Sequence, residues 1–81
     1  MTATEADVLT AYLCKGQSHR EIQREILHLE APARGGGFKT MEILHKFGIR
    51  KEHKSILSRH TFDPQRFERA GGIQAYLALE A

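Results

Sequence analysis

Seven residues, Gly16-Gln17-Ser18-His19-Arg20-Glu21-Ile22, constrain this chain most, because they stop one helix and start another almost at once. A glycine at a helix end takes the left-handed conformation that other residues resist, so Gly16 supplies a stop. Ser18 and Glu21 have capping-box spacing, in which the serine oxygen accepts from the Glu21 amide and the glutamate reaches back to the serine amide. Upstream, Val8, Leu9, Tyr12 and Leu13 recur at helical spacing within Thr4 to Lys15, with Thr4 and Asp7 as the expected cap. Downstream, Ile22, Ile26, Leu27 and Leu29 form an apolar stripe, and Arg20, Glu21, Arg24 and Glu25 cover the wet side. Two amphipathic helices joined by about three residues make a helical hairpin or corner.

The rest of the chain is punctuated in the same way. Glu30 to Gly37 reads as a loop, since Pro32 disfavours helix at Ala31 and Gly35, Gly36 and Gly37 permit positive φ. A helix is predicted over Phe38 to Phe47, with Gly48 as its C′ residue and Ile49 where the Schellman apolar contact falls. A shorter helix is expected at Lys51 to Arg59, carrying Ile56 and Leu57. Asp63-Pro64 restarts the chain as N-cap and first helical residue, leading through Phe67 to Gly71-Gly72. Ile73 to Leu79 closes it with Ile73, Tyr76, Leu77 and Leu79 as apolar contacts. Sustained period-two alternation is missing, so the expected fold is all-α, a bundle of four to six short helices in a single domain.

Composition removes several classes of function. With 81 residues the chain has room for one domain and little for an enzyme's deep cleft. At 41% hydrophobic and 27% charged it matches a globular chain rather than a disordered one. Its longest apolar run is Ala75 to Leu79, too short for a transmembrane helix, so no membrane partner is expected. Residues 1–14 contain Glu5 and Asp7 but no Lys or Arg, unlike a secretory signal. A lone Cys14 cannot build an internal disulfide framework and fits a reducing, cytoplasmic setting.

Charge is distributed unevenly. The total is only +2, yet Arg34, Lys39, Lys46, Arg50, Lys51, Lys54 and Arg59 stand against only Glu42 and Glu52 between residues 34 and 60. That local excess of five, with His45, His53 and His60 added, favours an anionic partner such as nucleic acid, although a merely solvated basic surface has the same composition. Arg34 and the amides of Gly35, Gly36 and Gly37 at a helix start resemble a phosphate cradle, to which Lys39 and Thr40 add a cation and a hydroxyl. The G-x-x-x-x-G-K-[ST] spacing of a P-loop is not met, so nucleotide hydrolysis is not expected. Lys46, Arg50 and Lys54 are spaced four apart and would share one face if the helix continued past Gly48. The spacing of His45, His53 and His60 matches neither a zinc finger nor H-E-x-x-H. No nucleophile with an orienting partner is advertised, so neither catalysis, metal nor cofactor is expected.

Two resemblances follow from these residues. Gly16 to Ile22 resembles the G-x-S-x-R-E-I opening of the first helix in helix-turn-helix domains, where the next helix enters the major groove. Such a turn has three or four residues, whereas the loop here is expanded and glycine-rich; the motif is equally consistent with capping chemistry alone. SHREIQREIL, APARGGGF, MEILHKFGI and EHKSIL together resemble the small N-terminal head module of McrA-like modification-dependent HNH restriction endonucleases. The positions carrying that likeness are Ser18, Arg20, Glu21, Arg34, Gly35, Gly36, Gly37, Phe38, His53 and Lys54. It implies an accessory, non-catalytic role beside further domains of the same enzyme. The functional expectation is contact with the phosphates of double-stranded DNA through Arg20, Arg24, Arg34, Gly35, Gly36, Gly37, Lys39, Lys46, Arg50, Lys51 and Lys54. The alternative is a protein-protein docking or oligomerisation domain.

Overall fold

The computed structural model describes residues 1–30 and 39–80. Among them lie five α-helices, α1 (Ala3–Leu13), α2 (His19–Glu25), α3 (Lys39–Lys46), α4 (Pro64–Ala70) and α5 (Ile73–Glu80), with a 3-10 turn at Lys51–His53. No strand occurs among the described residues, so the fold is all-α as its punctuation implied.

Helix α1 begins two residues earlier than Thr4 would have it. Thr2 is the N-cap: its hydroxyl accepts from the Glu5 amide at 3.0 Å, and Glu5 Oε1 accepts from the Thr2 amide at 2.8 Å. Glutamate at the third helical position closes this reciprocal box, which a shorter Asp7 opposite Thr4 fills less well. The corner after α1 forms as expected, with Gly16 at φ +64°. The Ser18–Glu21 capping box starts α2, with bonds of 3.1 and 3.4 Å. Helix α2 is shorter than its apolar stripe. The Ile26 and Leu27 amides both donate to the Ile22 carbonyl, His28 takes φ +55°, and the Leu29 amide bonds the Gln23 carbonyl at 2.9 Å. Leu29 is left exposed by this turn. Helix α2 thus ends at Glu25, before the expanded, glycine-rich stretch expected from Glu30 onward, of which residues 31–38 lie outside the described residues.

Helix α3 ends in a complete Schellman motif. The Ile49 amide donates to the Leu44 carbonyl at 2.8 Å, and the Gly48 amide donates to the His45 carbonyl at 3.1 Å. Gly48 sits at φ +71°, while Leu44 and Ile49 are both buried, as the apolar half of the motif requires. The helix expected over Lys51 to Arg59 reduces to the single 3-10 turn. Its place is taken by tertiary bonds: the Ser55 and Leu57 amides donate to the Tyr12 and Leu13 carbonyls at 3.0 and 2.9 Å. Carbonyls in the last turn of a helix lack intrahelical donors, so this segment satisfies the end of α1 while its remaining amides close tight turns three residues back within the segment.

Asp63 caps α4 by accepting from the Gln65 and Arg66 amides at 3.0 and 3.2 Å, with Pro64 at the first helical position. The core is assembled around α1, which buries Val8, Leu9, Ala11, Tyr12 and Leu13 against Ile22, Ile43 and Leu44 of α2 and α3. A second part of the core is aromatic. Phe62, Phe67 and Tyr76 stand with ring centroids 5.6 Å apart pairwise, and Phe47 meets Phe67 edge-on at 6.1 Å. Each such pair contributes about 0.5–1.5 kcal/mol beyond its burial. Tyr76 also ties α5 to the cap of α4, its hydroxyl accepting from the Asp63 amide at 3.0 Å.

Candidate nucleic-acid interface

Four stretches of chain converge on one concave surface. The Gly16 corner brings the start of α2 back beside α1, so that His19 stacks on Tyr12 with ring centroids 5.6 Å apart and planes 14° apart. A buried polar network fastens α2 to α3. The Thr40 amide, one of the donors left over in the first turn of α3, is capped by Gln23 Oε1 at 3.1 Å. The Thr40 hydroxyl donates to the His19 carbonyl at 3.3 Å, which sets the position of His19 relative to α3. Past Gly48 the chain turns across this surface. There the Arg50 amide donates to Nδ1 of the buried His53 at 2.9 Å, holding the turn.

The result is a cleft of about 490 Å³, with Met41, Leu44 and Ile49 beneath and His19, His45, Arg50, Lys51 and Lys54 around it. Among the described residues no aspartate or glutamate lines it. Burial, then Lys54, then His45, hold the proton affinity of His19 below the ordinary imidazole range. Only part of this was legible in sequence. Arg50, Lys51 and Lys54 were expected as cations and His45 was counted with them, but His19 and Tyr12 were not expected beside them. Those two stand on α2 and α1, and no local spacing relates them to the basic stretch; the one available hint was that the capping box puts His19 at the first position of α2.

The other expected cations are placed elsewhere. Because α3 ends at Lys46, that residue does not share a face with Arg50 and Lys54. Lys46 instead bonds Glu5 of α1 at 2.7 Å and lies 5.4 Å from the Phe47 ring centroid. Lys39 pairs with Glu42 at 3.2 Å, and both lysines line a second groove whose carboxylates offset their charge. Arg20 and Arg24 lie together on α2 beside His28, with Arg24 4.0 Å from Glu25. Thr40, expected to offer its hydroxyl to a phosphate, is fully buried and donates internally. Arg34, Gly35, Gly36, Gly37 and Phe38 lie outside the described residues.

The Lys46 ammonium, helped by the Thr2 amide, lowers the Glu5 carboxyl from 4.5 to about 2. A carboxylate with a depressed folded-state value stabilises the fold above its unfolded value and loses that contribution as the pH falls through the folded one. Thermal melts should therefore show stability lost between pH 4.5 and about 2. Lys46→Gln should flatten that acid limb, and an unchanged limb would show that the pair carries no linkage.

Burial pushes the Cys14 thiol up, opposite to what an activated nucleophile needs. Among the described residues no group of three or more His, Cys, Asp or Glu side chains is arranged to hold a metal ion. No described helix is long and apolar enough to cross a membrane. Comparison with protein-family models, curated proteins and solved structures finds no match to this chain.

Proposed function

We propose that this chain is a non-catalytic helical module that contacts duplex DNA through its phosphates, centred on Arg50, Lys51 and Lys54. The observation that carries the reading is the cleft's rim, where, among the described residues, these three cations and two imidazoles stand with no carboxylate lining the cleft. Lys39 and Lys46, by contrast, already have acidic partners. Arg20 and Arg24, together on α2, are the other expected cations, although Arg24 lies 4.0 Å from Glu25 and Glu30 lines the same hollow. The likeness to the head module of McrA-like endonucleases makes further domains of such an enzyme the natural companion, with this module accessory to their cleavage.

Fluorescence anisotropy of a labelled duplex across a range of salt tests the reading. Three phosphate contacts give a slope of about −2.7 in log affinity against log salt, and engagement of Arg20 and Arg24 steepens it. Phosphate contacts carry no base information, so duplexes with and without modified bases should bind alike. Absence of binding at low salt overturns the proposal and leaves the docking alternative, for which exposed Leu29, Ile56 and Leu79 are the available apolar side chains.

A further inference from the structure

We propose that His53 is the positioning residue of the phosphate-contacting rim: its imidazole, without touching DNA, sets where Arg50 and Lys51 stand. The inference rests on the phosphate-contact reading and adds to it the residue that holds the rim in place. From Arg50 to Ile56 every side chain is exposed except that of His53. Ile49 and Leu57 are buried on either side of it, each four positions away, so the segment is pinned to the body of the protein at 49, 53 and 57. Arg50, Lys51 and Lys54 are exposed residues between those pins, and all three line the cleft.

Packing alone does not call for a histidine at this position. Isoleucine and leucine make the two flanking pins, whereas position 53 carries a polar ring that is only 5% exposed. Its Nδ1 accepts from the Arg50 amide at 2.9 Å, and the His53 amide donates to the Arg50 carbonyl at 2.9 Å, so one residue fixes both backbone groups of Arg50. A ring nitrogen that accepts carries no proton, which places the proton of the neutral ring on Nε2. Nε2 lies 3.9 Å from the Glu52 carboxylate, too far for a hydrogen bond, so Nδ1 and burial set the ring's orientation. Glu52, the one acid from Arg50 to Phe62, does not line the cleft. Downstream, the Ser55 amide is tied to the Tyr12 carbonyl at 3.0 Å, which holds Lys54 independently. Loss of the Nδ1 acceptor therefore releases Arg50 and Lys51 first. Cations already held in place lose less freedom when phosphates dock, and that is what the bond contributes to binding.

The test measures duplex anisotropy across salt, together with melting of the free protein, for His53→Leu, His53→Gln and Glu52→Gln in the full chain. His53→Leu keeps the pin apolar and removes the acceptor. His53→Gln supplies one again, because glutamine at the third helical position reaches back to the cap amide. The expected result for His53→Leu is an affinity loss of about tenfold at low salt and a slope shallower by about 0.9–1.8, the value of one or two phosphate contacts. His53→Gln should recover most of both without melting higher than His53→Leu, which separates positioning from stability. Glu52→Gln leaves the Nδ1 bond intact and should keep the slope, with affinity changed by less than about threefold. Unaltered affinity and slope in His53→Leu, or losses in the two His53 variants that track melting alone, overturn the inference while phosphate contact survives. Should His53→Leu fold poorly, long-range proton–nitrogen spectra and amide exchange of the unaltered chain decide. A bare Nδ1 with a protected Arg50 amide upholds the inference, and a protonated Nδ1 or a freely exchanging Arg50 amide overturns it. No duplex binding by the unaltered chain at low salt overturns the parent reading itself.

Discussion

Reversing the charge of Arg50, Lys51 and Lys54 to glutamate should weaken duplex binding by about two to three orders of magnitude at low salt, and lower the salt slope by about 2.7. The size follows from removing three cations and placing three carboxylates where phosphates would sit, on a rim that has no carboxylate among the described residues. All three side chains are exposed, so the fold should survive, and circular dichroism and melting serve as the check. An internal readout accompanies the loss. Lys54 is one cause of the lowered proton affinity of His19, so Lys54→Glu should raise the His19 titration whether or not DNA is present. Neutralising Lys39 and Lys46 to glutamine provides the contrast. Those lysines already answer Glu42 and Glu5, and the expected loss in affinity is less than about threefold. Equal losses from the two sets, or no loss from the triple reversal, would remove the cleft from the binding surface.

The second large effect is on stability. Gly16→Ala should destabilise the chain by about 3 kcal/mol, because two costs coincide at one residue. Gly16 sits at φ +64°, where an L side chain costs about 1–2 kcal/mol. A Cβ at that position would also overlap the hydroxyl of Ser55, whose backbone amide is tied to the Tyr12 carbonyl over the corner, so the serine side chain would have to turn away. At about 4–8 °C for each kcal/mol in a domain of this size, the melting temperature should fall by well over 10 °C. Ser55 supplies the means of separating the two costs, since it is itself at φ +62°. Ser55→Gly removes both its own strain and the obstructing hydroxyl, so alone it should stabilise slightly. Combined with Gly16→Ala, it should recover the steric part of the loss and leave the backbone part. A strictly additive double mutant would mean that the corner and the 55–57 segment do not press on each other.

The corner illustrates how much of the fold was legible in the residues. Gly16, Ser18 and Glu21 announced the α1–α2 boundary, Gly48 with Ile49 the end of α3, and Asp63-Pro64 the start of α4. Each is built from bonds between residues a few positions apart, so local spacing is enough to find it. Thr2 shows the limit even there, since two candidate threonines precede acidic residues by the same interval and the longer glutamate closes the box. The 51–59 segment shows the larger limit. Its residues are compatible with helix, but the carbonyls of Tyr12 and Leu13 offer the Ser55 and Leu57 amides partners more than forty residues back. Thr40 was similarly misread as a phosphate hydroxyl, because nothing near it in the chain reveals that Gln23 and the His19 carbonyl occupy it.

For the candidate site, the sequence by itself determined that the chain is all-helical, where most of its helices begin and end, and that its cations concentrate in its middle third. Caps and periodicity act over a turn or two, within reach of one stretch of chain. Only the tertiary structure decided which of those cations remain without a carboxylate. Lys46 meets Glu5 across forty-one positions, while Arg50, Lys51 and Lys54 are turned by Gly48 toward His19 and His45. Electrostatic pairing depends on distance in space and on burial, and the packing of α1 against α2 and α3 sets both.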